Sequence, residues 1–104
     1  MKNKSSSARR SRLDILYQIL VLCRKPQQKT WIMFECNLNH ELLRKCLNFL
    51  VESNLLKILR EDNKKYYQTT ENGEKFISEY DRMKKVLNEA ARRRELSGRN
   101  HGVQ

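Results

Sequence analysis

The chain has 104 residues, with 22 Lys+Arg against 12 Asp+Glu and a formal charge of +10. That length holds one small domain with appendages, and that charge favours a polyanionic partner, either a nucleic acid or an anionic membrane surface. No apolar run is long enough to cross a bilayer, no signal-peptide core stands near the N-terminus, and three cysteines disfavour a secreted disulfide framework, so a cytosolic protein is expected.

The basic excess gathers at the ends. Residues 1–12 hold five basic groups and no acid, residues 92–104 hold four basic groups and one acid, and the body between carries only +2. Residues 1–11 are Lys, Arg and Ser with almost nothing apolar, a composition that predicts a flexible basic arm. A first helix is expected from about Arg12 to Cys23. Leu16, Ile19, Leu20 and Cys23 fall at i, i+3, i+4 and i+7 and build one apolar stripe. Pro26 ends it, because the residue before a proline is biased away from helix.

A short second helix is expected over Thr30 to Cys36, with Thr30 as its N-cap and Ile32, Met33 and Cys36 buried. Trp31, Ile32 and Phe34 also suit a strand, but a tri-helical core needs its middle helix here. Asn37-Leu38-Asn39 is the turn, and Asn39 caps a third helix whose buried face is Leu43, Cys46, Leu47 and Leu50. Asn54 stands at the left-handed position that closes it, where Gly is commonest and Asn second.

A hairpin follows. Leu56, Ile58, Tyr67 and Thr69 are expected to face inward by the period-two rule, Lys57 outward, with Glu61 to Lys64 as a compact tip. Thr70 then caps a last helix from about Glu71 to Leu96, and residues 97–104 read as a disordered tail. Phe76, Tyr80, Met83, Leu87 and Ala90 are spaced 4, 3, 4, 3, an a/d seam of about two heptads. Phe76 and Ile77 are expected to pack on the chain's own core. Met83, Val86 and Leu87 lie roughly 10–17 Å further along the axis, beyond its reach. A second copy of the chain is the simplest cover, with Tyr80, Met83, Val86, Leu87 and Ala90 as the dimer interface. Parallel and antiparallel pairing both remain open on this pattern.

A capped helix, a two-stranded hairpin and a second capped helix in this order define the expected fold class: α+β, mostly α, a winged helix-turn-helix over residues 12–70 with a long C-terminal dimerisation helix over 71–96. The chain resembles the small archaeal dimeric winged-helix DNA-binding proteins of about ten kilodaltons, of chromatin or transcription-regulator type. The residues that carry the resemblance are Arg12-Leu13-Asp14-Ile15-Leu16, Asn37-Leu38-Asn39 with Leu43, Leu47 and Leu50, Leu55-Leu56, and Tyr67-Gln68-Thr69-Thr70-Glu71-Asn72-Gly73. It spans residues 12–90. It implies a homodimer joined by an antiparallel pair of C-terminal helices, and binding to duplex DNA. Two departures are Asn54, where glycine is usual, and Thr69, where an aliphatic residue is common.

With its apolar face buried, the third helix turns His40, Glu41, Arg44, Lys45 and Asn48 outward. The planar fork of Arg44 matches guanine O6 and N7, and Asn48 matches adenine. Asn39 and His40 stand at the helix N-terminus, which approaches phosphates, and Lys45 is expected on a phosphate. Lys29 and Thr30 could hold a phosphate at the start of the second helix. Arg60, Lys64 and Lys65 on the wing suit backbone or minor-groove contact, opposed by Glu61 and Asp62 at the tip. The arm, Lys2, Lys4, Arg9, Arg10 and Arg12, is expected to track the backbone or enter a minor groove.

No catalytic constellation, cofactor loop, small-molecule site or metal-ligand spacing is found, so an enzyme is not expected. Cys23, Cys36 and Cys46 stand 13 and 10 residues apart and read as small buried hydrophobes. The leading expectation is a dimeric duplex-DNA-binding protein, cytoplasmic and nucleoid-associated, either regulator or chromatin organiser. A winged-helix protein-interaction module without direct DNA binding is the alternative, and RNA binding through Trp31 and Tyr66 a third.

Overall fold

The computed structural model describes the backbone of residues 10–101 and side chains through Arg94. In chain order it has α1 (Arg12–Leu22), α2 (Lys29–Glu35), α3 (His40–Glu52), β1 (Leu56–Glu61), β2 (Lys64–Thr69) and α4 (Glu71–His101). This is a winged helix with an elongated last helix, the expected fold class.

Chain order begins at a capping box. The Asp14 amide donates to Ser11 Oγ and the Ser11 amide to Asp14 Oδ2, both at 3.1 Å, satisfying two donors that α1 would leave open. α1 buries Ile15, Leu16, Ile19 and Leu20, and Cys23 closes it. Burial pushes the Cys23 thiol up to about 12 and the Cys36 thiol up to about 11, and Cys46 is raised by the same cause. All three cysteines are free, buried thiols.

α2 differs at its start from the sequence expectation. Gln28, not Thr30, is the N-cap, and no side chain caps the helix. The Ile32 and Trp31 amides reach back to Gln28 O, so the helix starts early and Thr30 sits exposed in its first turn. Ile32 and Cys36 are buried as expected. Asn37, at φ 54°, turns the chain, and the Leu38 amide donates to Met33 O at 3.0 Å.

Asn39 caps α3, accepting from the Leu42 amide at 2.8 Å. Leu43, Cys46, Leu47 and Leu50 form the buried face. The helix ends through Asn54 at φ 64°, with the Leu55 amide donating to Leu50 O at 2.8 Å.

The strands pair antiparallel from Leu56 opposite Thr69 to Glu61 opposite Lys64. Asp62 and Asn63, both at positive φ (52° and 64°), make the two-residue turn whose twist suits a hairpin. Leu56, Tyr67 and Thr69 are buried, but Ile58 is exposed, contrary to expectation. It stands opposite Tyr67 on the intended face, yet the core reaches only under the base of the hairpin. The return strand is tied down there. Gln27 and Tyr67 exchange backbone hydrogen bonds at 3.0 and 2.8 Å, the Thr69 amide donates to Cys23 O, and Thr69 Oγ1 donates to Leu20 O at 2.6 Å. The hydroxyl at this usually aliphatic position therefore has a buried acceptor.

Thr70 alone separates wing from α4. Its Oγ1 donates to Asn54 O at 2.8 Å and accepts from the Gly73 amide at 3.0 Å. Gly73 lets the helix approach closely, since a Cβ there would collide with Leu55 O and Thr69 Cγ2. α4 buries Ile77 and half-buries Phe76 and Tyr80, then every side chain from Asp81 to Arg94 is exposed. The helix continues to His101, past the expected end near Leu96 and into the segment read as a disordered tail. No proline interrupts it, and Ser97 and Gly98 alone do not end a helix already propagating.

Candidate nucleic-acid interface

α3 presents the surface its apolar pattern requires. With Leu43, Cys46, Leu47 and Leu50 turned in, His40, Glu41, Arg44, Lys45 and Asn48 are all exposed. Lys29, from the first turn of α2, joins His40, Glu41 and Arg44 around a surface concavity of about 310 Å³. Two helix starts thus supply two cations and a histidine to one depression, with one carboxylate among them. Glu41 Oε2 lies 3.9 Å from Lys45 Nζ, so part of the lysine's charge is offset within the helix. Asn39 has its Oδ1 committed to the cap and faces the same end of α3.

The wing contributes Arg60, Lys64 and Lys65, all exposed. Arg60 stands directly opposite Lys65, a like-charge pair that costs stability in an isolated hairpin, while Glu61 stands opposite Lys64. The Lys65 ammonium lies 5.8 Å from the centroid of the Tyr67 ring.

The arm residues behave differently from one another. Arg9 lies outside the described residues, and Arg12 is exposed. Arg10 is engaged within the fold. Its Nη1 donates to Cys36 O at 2.7 Å and to Gln18 Oε1 at 2.5 Å, and its Nη2 donates to Asn37 O at 3.2 Å. The guanidinium caps the C-terminal carbonyls of α2 and ties α1 to the α2–α3 turn, a role that the sequence reading, with Arg10 on DNA, does not include. The signal for this was faint in sequence, because the partners are backbone carbonyls 26 and 27 positions away.

Two further exposed features lie outside the residues assigned to DNA from sequence, and of these only Trp31 has a role in the sequence reading, as an RNA-stacking ring. Phe49 on α3 is 51% exposed, beside Lys45. Trp31 and Phe34 on α2 are both exposed with ring centroids 5.5 Å apart.

On α4, Met83, Val86, Leu87 and Ala90 are exposed as the seam predicts. Tyr80 is largely occupied at home. Its ring stacks on Tyr17 at 4.0 Å, and its hydroxyl donates to Asp14 Oδ1. Tyr17 in turn donates to Asp81 Oδ1 at 2.7 Å, and Arg24 pairs with Glu74 at 3.0 Å. Above this clamp an apolar groove of about 470 Å³, lined by Leu13, Leu55, Phe76, Tyr80 and Met83 among others, opens toward the seam. Among the described residues no cluster of His, Cys, Asp or Glu is arranged to hold a metal ion, and no helix is long and apolar enough to cross a membrane.

A three-helix core with a two-stranded wing and an exposed, cation-bearing third helix defines a winged helix-turn-helix protein. A model of the winged helix-turn-helix family matches residues 9–88, and the chain belongs to that family. It is similar to an uncharacterized protein of Methanocaldococcus jannaschii, 28% identical over 88 residues, which is 84% of this chain and 87% of that one. In structure it is similar to Sso10a-2, a DNA-binding protein from Sulfolobus solfataricus, with a TM-score of 0.74 at 24% identity over 83% of this chain and 90% of that one. It is also similar to FabT of Streptococcus pneumoniae, solved in complex with DNA, with a TM-score of 0.57 at 16% identity over 74% of this chain and 57% of that one.

Proposed function

We propose that the chain is a non-enzymatic, homodimeric protein that binds double-stranded DNA, with α3 in the major groove and the wing and N-terminal basic residues on the backbone. The observation that carries this reading is the convergence of Lys29, His40 and Arg44 from two helix starts on one exposed depression. Helix N-termini and cations are the groups that phosphates seek. The like-charge pair of Arg60 and Lys65 supports it, because a polyanion alongside would relieve that repulsion. Asn39, Thr30, Lys45, Lys64 and Arg12 belong to the same proposed footprint.

α3 carries two bases, Arg44 and Lys45, and two acids, Glu41 and Glu52. This balance favours backbone and shape-led binding over strong base reading, and so a chromatin-associated role somewhat above a single-operator regulator. Such a protein would work in the cytoplasm, on the nucleoid.

Pairing through α4 is supported by the exposed seam, its continuity with the Leu13–Phe76–Met83 groove, and its charge polarity. Residues 71–81 hold four acids and one base, and residues 82–94 hold six bases and one acid. Antiparallel pairing sets the acidic third of each helix against the basic part of the other, while parallel pairing stacks like on like.

The test is fluorescence anisotropy with a random-sequence duplex of about 30 base pairs across a salt series. Affinity should fall steeply with salt. No binding at low salt would refute the reading and turn attention to the exposed Trp31–Phe34 pair as a protein-docking surface.

A further inference from the structure

The basic groups of α4 do not all serve the seam. At about 100° per residue, Phe76, Met83, Leu87 and Ala90 share one line along the helix, and Lys85, Asn88 and Arg92 share the opposite line. A partner lying on the seam leaves that second line in solvent. There the structure has a concavity of about 330 Å³, bounded by Lys85, Asn88, Glu89, Ala91 and Arg92. The small Ala91 side chain leaves the depression open, with a cation at each end and an amide between. Arg99 follows at the same seven-residue interval.

Two ordinary explanations for these cations fall short. The helix dipole favours bases only within the last turn, whereas Lys85 and Arg92 stand 16 and 9 residues before His101. Among the described residues neither forms an ion pair, the pairs there being Arg24–Glu74, Lys45–Glu41 and Arg82–Glu79. Asp81, one turn before Lys85, is held by the Tyr17 hydroxyl, and among the described residues Glu89 is the one carboxylate bounding the concavity.

We propose that the flank of α4 bearing Lys85, Asn88 and Arg92 is a second phosphate-binding surface, taking the backbone of duplex DNA separately from α3. Lys85 and Arg92 are about 10.5 Å apart along the axis, close to three base-pair steps of a duplex lying alongside. This extends the duplex-binding function proposed above and rests on it.

The experiment measures, with the full chain, the slope of log affinity against log salt on a duplex of about 60 base pairs, for wild type, Lys85→Gln/Arg92→Gln and Asn88→Lys. The double variant should lose about 1.8 from the slope per protomer, and Asn88→Lys should add about 0.9, at roughly 0.9 per phosphate contact. All substituted positions are exposed, so unfolding does not intervene. An unchanged slope in either variant, against a wild type that binds, overturns the second surface and leaves the α3 reading standing. A slope that falls only because the particle becomes lighter in sedimentation also overturns it. A wild type that fails to bind overturns the α3 reading first.

Discussion

Replacing Arg10 with Ala separates a structural tie from a DNA contact. The guanidinium donates to Cys36 O at 2.7 Å in a partly buried setting, and to Asn37 O and Gln18 Oε1 nearer solvent. A hydrogen bond from a charged donor contributes about 1.5–3 kcal/mol when shielded and much less when exposed. The Cys36 contact should therefore dominate, with a smaller addition from Asn37. Arg10 Nε is buried without an acceptor, which subtracts on the order of 1 kcal/mol. The net loss for Arg10→Ala is about 2 kcal/mol. With a urea m-value of about 1–2 kcal/mol/M for a domain of this size, the unfolding midpoint should fall by about 1–2 M. Arg10→Lys, which reaches one carbonyl and not both, should lose about half as much. The salt slope of duplex binding should stay at the wild-type value. An unchanged midpoint with a slope reduced by about 0.9 would refute the tie and return Arg10 to the DNA.

Arg44→Ala/Lys45→Ala should weaken duplex binding by at least about tenfold without moving the urea midpoint, and unchanged affinity would remove α3 from the interface. Gly73→Ala should destabilise by about 1–3 kcal/mol in urea unfolding, because Leu55 O is backbone and Thr69 is anchored to Leu20 O; a more stable variant would show the junction to be loosely packed. Leu87→Glu should lower the sedimentation mass from dimer to monomer, and a mass that stays dimeric would place the interface elsewhere. The Tyr80–Asp14 contact sets a pH window. The Tyr80 hydroxyl holds the Asp14 carboxyl below its ordinary value, so that contribution is present above about pH 4 and is lost as pH falls through the depressed value. Burial, then Asp14, pushes the Tyr80 hydroxyl up to about 12, so its contribution is present below about pH 10 and is lost as pH rises toward 12. Melting temperatures of wild type and Tyr80→Phe should therefore converge at both extremes, and a constant gap would refute the linkage.

The parts of the fold legible in sequence are those governed by near neighbours. Asn39 announces itself as a cap three residues before the amide it accepts from, and Asn54 as a left-handed stop directly after its helix. The buried faces of α1 and α3 follow from spacing alone. Contacts that pattern alone does not announce are those between distant residues. Arg10 finds carbonyls across the domain, Thr69 finds the open Leu20 carbonyl 49 positions away, and Tyr80 is claimed by Asp14 from 66 positions away. Ile58 keeps the right face and still lacks a lid, since period two gives direction but not how far the core extends. In the candidate site, exposure of Arg44, Lys45 and Asn48 follows from the helix face, whereas Lys29 joining them needs the angle between two helices, which no local pattern encodes.

The junction at Thr70 gives the molecule the character of a gauge. One residue joins the wing to α4, Gly73 brings the helix hard against the wing base, and two tyrosine–aspartate contacts pin its third turn to α1. Head and shaft therefore turn together, with no slack between them. In a pair joined along α4, the separation and relative rotation of the two reading helices would be set by this rigid coupling and by a shaft of about 46 Å. One residue inserted between Asp81 and Met83, past the clamp and before the seam, would rotate each head by about 100° about the shaft, enough to point it at a different side of the double helix. Spacing between contacted segments of DNA then becomes a property of α4, measured by residues that never touch the nucleic acid.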